Sequence, residues 1–266
     1  MNHAATEFQP DLYEGRFHLR FPTLAGLSQD EEFCEVEFNG EWRRLRFHDY
    51  GPIYAVQGLY ETIFCRLLRC TSPQVVPQQL ARFVEARGAS MADLRVFDIG
   101  AGNGLGGETL QYLGTRYIVG NDIYPEAKEA VTRDRSWVYE DFHIFDLTNP
   151  PQEIFEALKQ AQFNALTAIG ALGFGDIPPK AFQTAYNLVA DGGWIAFNIH
   201  ERFLTDPNVG GFAGLIRDSI QQQVLEMESY HRYQHRLSIT GEPLYYICAI
   251  GRKRAAITDA MIDALA

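Results

Sequence analysis

The 266-residue chain is predicted to be an α/β protein with a doubly wound, seven-stranded, mostly parallel sheet and an antiparallel C-terminal edge hairpin. Three observations predict it. Short β-favouring runs alternate with helical patterns between residues 94 and 199, which implies a parallel sheet covered by helices on both faces. The first run, Val96-Phe97-Asp98-Ile99, passes directly into a turn with glycines at 100, 102, 104, 106 and 107. Glycines crowded after a strand let the backbone turn sharply and come close to a ligand. Finally, extended runs at 226–239 and 244–250 are separated only by a turn at Gly241-Glu242-Pro243, too short for a parallel crossover.

Taken in order, residues 1–90 read as an N-terminal extension packed on the main domain, 91–254 as that domain, and 255–266 as a tail resembling a loose amphipathic helix. Residues 1–30 read as irregular. Residues 33–38 alternate apolar and acidic side chains, Asn39-Gly40 supplies a two-residue turn, and 42–47 alternate again, so a β-hairpin over 33–47 is expected. Residues 52–87 read as a tyrosine-rich helical lid. Apolar residues at 56, 59, 60, 63, 64, 67 and 68 keep helical spacing, then Ser72-Pro73 starts and Gly88 stops a further helix. Beyond the first strand (94–99) come a helix at 105–113, a strand at 117–122, and a helix opened by Pro125. A third strand (143–146), a helix (152–161), a fourth strand (163–172), a helix (180–189), the Asp191-Gly192-Gly193 turn, a fifth strand (194–199) and a helix (209–222) follow.

Composition narrows the function. Hydrophobic residues make up 46% of the chain and charged residues 21%, enough apolar content to bury a large core. A net charge of −11 argues against nucleic acid as partner, because binding a phosphate backbone relies on Lys and Arg. It suits a small neutral or cationic ligand. Cys34, Cys65, Cys70 and Cys248 form no CxxC or Cys/His cluster, so neither a metal site nor a disulfide framework is expected. The first residues show no basic start followed by an apolar run, and no window reaches 18 apolar residues. A cytoplasmic protein with no membrane span is expected.

A glycine turn after a first strand fits two ligand classes, dinucleotides and S-adenosylmethionine. The pattern GxGxxG occurs as Gly102-Asn-Gly104-Leu-Gly106-Gly107, but it begins beyond Gly100, after the turn has started. Asp98 would face and repel a pyrophosphate, at a cost that a low local dielectric enlarges. S-adenosylmethionine has no phosphate and carries an ammonium and a sulfonium. No Lys-Ser/Thr pair follows the loop, which excludes a P-loop.

At Asp98-Ile-Gly100-Ala-Gly102-Asn-Gly104 the chain resembles the D/E-x-G-x-G-x-G motif of the class I S-adenosylmethionine-dependent methyltransferases, and the resemblance runs from about His48 to Arg254. It implies a Rossmann-like methyltransferase fold and S-adenosylmethionine as cofactor. It also implies that Asp98, Gly100, Ala101, Gly102, Asn103 and Gly104 bind that cofactor. Asp122, ending the second strand, matches the family's acid that takes the two ribose hydroxyls, and Ile123 would pack on adenine. Asp146 and Leu147 match the pair that reads adenine. Ile169-Gly170-Ala171-Leu172 corresponds to the strand end lining the methionine side. The segment around Tyr50, Tyr54 and Tyr60 resembles the D-x-x-A-x-x-Y-D helix, from which Tyr54 or Tyr60 would cover the methionine end. Asp191 replaces the proline usual before the fifth strand, a departure that touches a turn. Acids at three successive strand ends support the match, since open α/β sheets bind ligands beyond the carboxyl ends of their strands.

Methyl transfer is an in-line displacement, so the protein chiefly aligns the reactants and excludes water. A base is needed only for an acceptor protonated at neutral pH. His200, ending the fifth strand, is the candidate base. His143 reads as structural, while His48, His231 and His235 stay unranked. The family's N/D-P-P-Y/F signature is absent: the position reads Gly170-Ala171-Leu172-Gly173-Phe174, and Asn149-Pro150-Pro151-Gln152 follows the third strand without the aromatic. DNA adenine and glutamine side chains are therefore disfavoured as acceptors. A small organic acceptor attacked through O, N or C is the first reading. A protein or RNA methyltransferase, or a non-catalytic S-adenosylmethionine-binding subunit, is the alternative, and an NAD(P)-dependent oxidoreductase the weakest.

Overall fold

The computed structural model describes residues 8–9, 12–13, 16–24, 26–172, 176–202 and 211–265. The chain forms two compact units, one of residues 1–71 with 234–244 and the other of residues 72–233 with 245–266.

In the first unit the described residues form a four-stranded antiparallel sheet in the order β1 (Leu12–Tyr13), β2 (His18–Arg20), β3 (Phe33–Phe38), β4 (Glu41–Arg46). The hairpin of β3 and β4 turns at Asn39 and Gly40, both left-handed at φ 52° and 84°, the conformation a type I′ turn demands. Strands β1 and β2 lie where the sequence reads as irregular. Leu19 faces the core from β2, between His18 and Arg20, but two- and three-residue strands are too short for a periodicity to stand out. The helical stretch that follows is broken: α1 (Tyr50–Ala55) ends, Gly58 turns left-handed at φ 77°, and a π-helix runs Glu61–Leu67. Ile53, Leu59, Ile63 and Phe64 pack with Leu19, Val36 and Phe47 into the core of this unit.

The second unit holds α2 (Ser72–Ala86), β5 (Arg95–Ile99), α3 (Leu105–Tyr112), β6 (Tyr117–Asp122), α4 (Pro125–Asp134) and β7 (Asp141–Ile144). It continues with α5 (Gln152–Gln160), β8 (Ala165–Ala168), α6 (Pro179–Asn187), β9 (Trp194–His200) and α7 (Gly211–Gln221). Strands β10 (Leu225–Leu237) and β11 (Pro243–Lys253) and a short α8 (Asp259–Asp263) end the chain. Among the described residues the main sheet has seven strands, in the order β10-β11-β9-β8-β5-β6-β7. The five strands β5 to β9 are parallel, and β11 runs antiparallel to β9. The chain steps outward from β5 to β6 and β7, then returns to β8 on the other side of β5. That reversal is the switch point where doubly wound sheets bind ligands.

Both faces of the sheet are covered, which is why the strands read as nearly continuous apolar runs. Phe97 and Ile99 face Phe163, Phe182 and Phe197 on one side. Val96 and Ala196 face Leu80, Val84 and Leu110 on the other. Two of the parallel strands end earlier than expected. The third ends at Ile144, so Asp146 lies in the following loop. The fourth ends at Ala168, because Gly170 turns left-handed at φ 70°. No helix among the described residues is long and apolar enough to cross a membrane.

Candidate active site

The glycine turn leaves β5 at the switch point. Gly100, Gly102 and Gly104 are left-handed at φ 59°, 54° and 85°, a region side chains disfavour. Gly100 is further constrained: a Cβ there would lie 2.5 Å from the Ala171 Cβ. The Ala101 N–H donates to the Asn121 carbonyl at 3.1 Å and the Gly104 N–H to the Ala101 carbonyl at 3.0 Å, which closes the turn. Gly104 then caps α3, whose first N–H groups have no partner within the helix. On that helix Gly106 abuts Ile169 and Gly107 abuts the Tyr139 hydroxyl, at 2.7 and 2.5 Å from the place of a Cβ.

The glycines serve the acid before them. Asp98 is buried in β5, and its Oδ1 accepts from the Thr167 hydroxyl at 2.5 Å and its Oδ2 from the Tyr139 hydroxyl at 2.8 Å. Thr167 is its register partner on β8; Gly120, its partner on β6, has no side chain, and the rings of Phe142 and Tyr139 fill that place. Burial pushes the Asp98 carboxyl up to about 6, against the two hydroxyl hydrogen bonds, and the nearby Asp122 adds to the rise.

Asp122 ends β6 and is almost as buried. Its Oδ2 accepts from the Gly102 N–H at 2.8 Å and its Oδ1 from the Tyr124 N–H at 3.0 Å, so it is fixed to the glycine loop on one side and the start of α4 on the other. Burial raises its pKa, and the backbone N–H groups oppose the rise. Ile123 beside it is exposed. In the loop after β7, Asp146 is exposed and accepts from the Thr148 N–H at 2.7 Å, while Leu147 is buried. The Asn121 amide donates to the His143 and Phe145 carbonyls at 3.3 and 3.2 Å, which ties this loop to β6.

Across the crevice, Ala171 packs on Gly100, and the Gly170 N–H donates to Asn198 Oδ1 at 2.6 Å. His200 ends β9 with its ring edge-on to Tyr246 at 5.3 Å and its Nδ1 accepting from the Arg202 N–H at 3.1 Å. That bond assigns the proton of the neutral ring to Nε2, which then donates. A base role for His200 therefore requires its Nδ1 to leave Arg202. Glu201 is paired with Arg232 at 2.7 Å, which holds its carboxyl below the usual range. Of the other residues expected at the site, Asn103 is buried beneath the loop. Tyr54 and Tyr60 belong to the first unit, where Tyr54 stacks on Tyr50 and tilts against Tyr60 at 5.4 Å. Phe174 and Gly173 lie outside the described residues.

The donor set decides what could bind. Asp98, Asp122 and Asp146 are acceptors, whereas Arg135, the basic side chain against the loop, is turned to the Asn103 carbonyl and Glu108, each at 3.2 Å. Such a site matches hydroxyl, amine and ammonium groups and opposes phosphates. No motif in the sequence singles out Tyr139, Thr167, Asn198 or Arg135. Tyr139 and Thr167 lie 41 and 69 residues from Asp98; strand pairing brings Thr167 to it, and Tyr139 reaches it from the loop before β7. Among the described residues no three His, Cys, Asp or Glu side chains are placed to hold a metal ion, and all four cysteines are free thiols.

Comparison with known proteins gives one family and several similar folds. The family model described as a methyltransferase domain matches residues 73–244. No curated protein sequence is a significant match. Solved structures that resemble the chain include magnesium protoporphyrin IX methyltransferase from Synechocystis with bound S-adenosylmethionine, at 12% identity over 69% of this chain and 80% of that one (TM-score 0.47). An S-adenosylmethionine-dependent methyltransferase from Anabaena variabilis aligns at 13% identity over 68% and 86% (TM-score 0.46). A ribosomal protein L11 methylase from Lactobacillus delbrueckii aligns at 16% identity over 67% and 78% (TM-score 0.43).

Proposed function

The chain belongs to the methyltransferase-domain family, and from that premise we propose that it methylates a small organic acceptor, through oxygen, nitrogen or carbon, using S-adenosylmethionine. The observation that carries the reading is the acid–glycine–acid arrangement at the switch point. Asp98 and Asp122, both buried, flank a left-handed glycine loop, and the Asp122 carboxylate is hydrogen-bonded to it.

When bound, S-adenosylmethionine supplies a methyl group on a cationic sulphur. The chain's own residues hold and orient it. Asp122, already fixed by two backbone N–H groups, presents its remaining lone pairs to the ribose hydroxyls. Ile123 offers its exposed side chain to adenine, and Asp146 with the Leu147 N–H reads the ring's edge. Asp98 and the backbone of Gly100, Ala101, Gly102, Asn103 and Gly104 take the amino-acid end, where the negative charge of Asp98 favours the ammonium. Gly170 and Ala171 line the opposite wall. His200 serves as base where the acceptor is protonated.

Support for a small acceptor comes from the net charge of −11 and from the missing N/D-P-P-Y/F signature. Free thiols fit a reducing compartment, and we place the protein in the cytoplasm. The test is to incubate the protein with methyl-labelled S-adenosylmethionine and cell extract, then separate small molecules, RNA and protein. Label in a species of low mass is expected. Label confined to RNA or protein would overturn the small acceptor, and no transfer at all would favour a non-catalytic, cofactor-binding subunit.

A further inference from the structure

Asn198 is fully buried in β9, between β8 and β11, on the same strand face as Trp194 and Ala196. An amide in such an apolar row is costly unless its hydrogen bonds are made. They are made by three separate elements. Its Nδ2 donates to the Ser72 hydroxyl at the start of α2 (3.1 Å) and to the Tyr233 hydroxyl on β10 (2.9 Å). Those hydroxyls bond each other at 2.7 Å. Its Oδ1 accepts from the Gly170 N–H at 2.6 Å.

The last bond is the informative one. Gly170 lies beyond the end of β8, left-handed at φ 70°, so its N–H is outside the strand ladder. The next residue, Ala171, occupies the space that a side chain on Gly100 would need. Resting on the reading of this crevice as the methyl-donor site, we propose that Asn198 is a positioning residue for it. Its amide clamps the Gly170 N–H, sets Ala171 against Gly100, and so fixes the distance between the two walls. Ser72 and Tyr233 orient the amide, since an unconstrained Asn side chain could turn its NH2 toward Gly170 and lose the bond.

Two substitutions separate clamping from simple packing. Asn198→Leu keeps the size and removes every polar atom. Asn198→Asp keeps an acceptor for Gly170 and can accept from both hydroxyls, which rotate to donate. Amide exchange is measured residue by residue by NMR without ligand, and S-adenosylhomocysteine affinity by calorimetry. Asn198→Leu should speed exchange at Gly170 and Ala171 about 10-fold and weaken the ligand about 10-fold, as loss of one buried hydrogen bond predicts. Asn198→Asp should restore both to roughly twofold of wild type. Val76→Ala, a cavity in the apolar cluster on α2, should lower the melting temperature and leave the affinity unchanged. Tyr233→Phe, which leaves β9 intact, gives the same pattern at roughly threefold and decides the matter should the leucine variant not fold. Unaltered Gly170 exchange in Asn198→Leu or, failing that, Tyr233→Phe would overturn the clamp, as would an equal loss of affinity in Val76→Ala. If the wild type does not bind S-adenosylhomocysteine, the methyl-donor reading falls while the exchange data still decide the clamp.

Discussion

Asp98 sets the balance between stability and binding in the crevice. Its carboxyl stands at about 6 where 3.8 is ordinary, because burial penalises the charge more than Thr167 and Tyr139 relieve it. Between those values the folded protein holds a proton the unfolded chain has lost. The group's contribution to stability is therefore full below about 3.8, falls as pH rises through the window, and above about 6 leaves a penalty on the order of 3 kcal/mol. Asp98→Asn keeps a partner for each hydroxyl and has no charge. Relative to wild type it should gain up to about 3 kcal/mol between pH 4 and pH 7, read by urea denaturation at both. A difference that does not change with pH would contradict this. In the wild type, the ammonium at the ligand's amino-acid end favours the ionised Asp98 carboxylate, so affinity for S-adenosylhomocysteine should climb from pH 5 to 7 and then level. The strand-end acids were legible in the sequence because acids interrupt apolar runs there. Their partners Thr167, on another strand, and Tyr139, in the loop before β7, were not, since a hydroxyl far away in sequence carries no local signal.

Among the elements, the turns that follow β5 and β8 owe their shapes to glycines with different reasons to be there. Gly100 and Gly170 are both left-handed, but a Cβ on Gly100 meets Ala171 at 2.5 Å whereas one on Gly170 meets nothing within 4 Å. Gly170→Ala should cost about 1 kcal/mol from backbone strain alone, and Gly100→Ala at least about 1 kcal/mol more, from the added clash. Equal losses on urea denaturation would show that Ala171 gives way freely. The alternation of β5 to β9 with helices was readable because buried parallel strands and amphipathic helices differ in period. The shortest strands, β1 and β2, were not, and neither was the π-helix at Glu61–Leu67, whose apolar spacing passes for an ordinary helix. Asp146 reads as a strand end and proves to be a loop residue held through Asn121.

For the whole molecule, the division into two units follows from a contact between residues far apart in sequence. Glu32 and Arg236, both almost fully buried, pair at 2.5 Å, and the other Glu32 oxygen accepts from the Ile239 N–H at 2.7 Å. Arg236 also donates to the Leu237 carbonyl at 2.8 Å. This pair joins residues 234–244 to the N-terminal sheet, a link across 204 positions that no local pattern reveals. Glu32→Ala would leave a buried guanidinium without its carboxylate and should cost about 3–5 kcal/mol, while the double change Glu32→Leu with Arg236→Met should cost much less. Denaturation curves of the three proteins check this, and equal losses in the single and double variants would contradict it.

Whether the crevice between β5, β6 and β8 holds an adenosyl cofactor through Asp122 is decided by calorimetric titration of S-adenosylhomocysteine into the wild type and Asp122→Ala. Saturable one-site binding to the wild type is expected, weakened at least about 10-fold in a folded Asp122→Ala protein. Absence of binding to the wild type, or equal affinity in the two proteins, would contradict that role for Asp122 and the crevice.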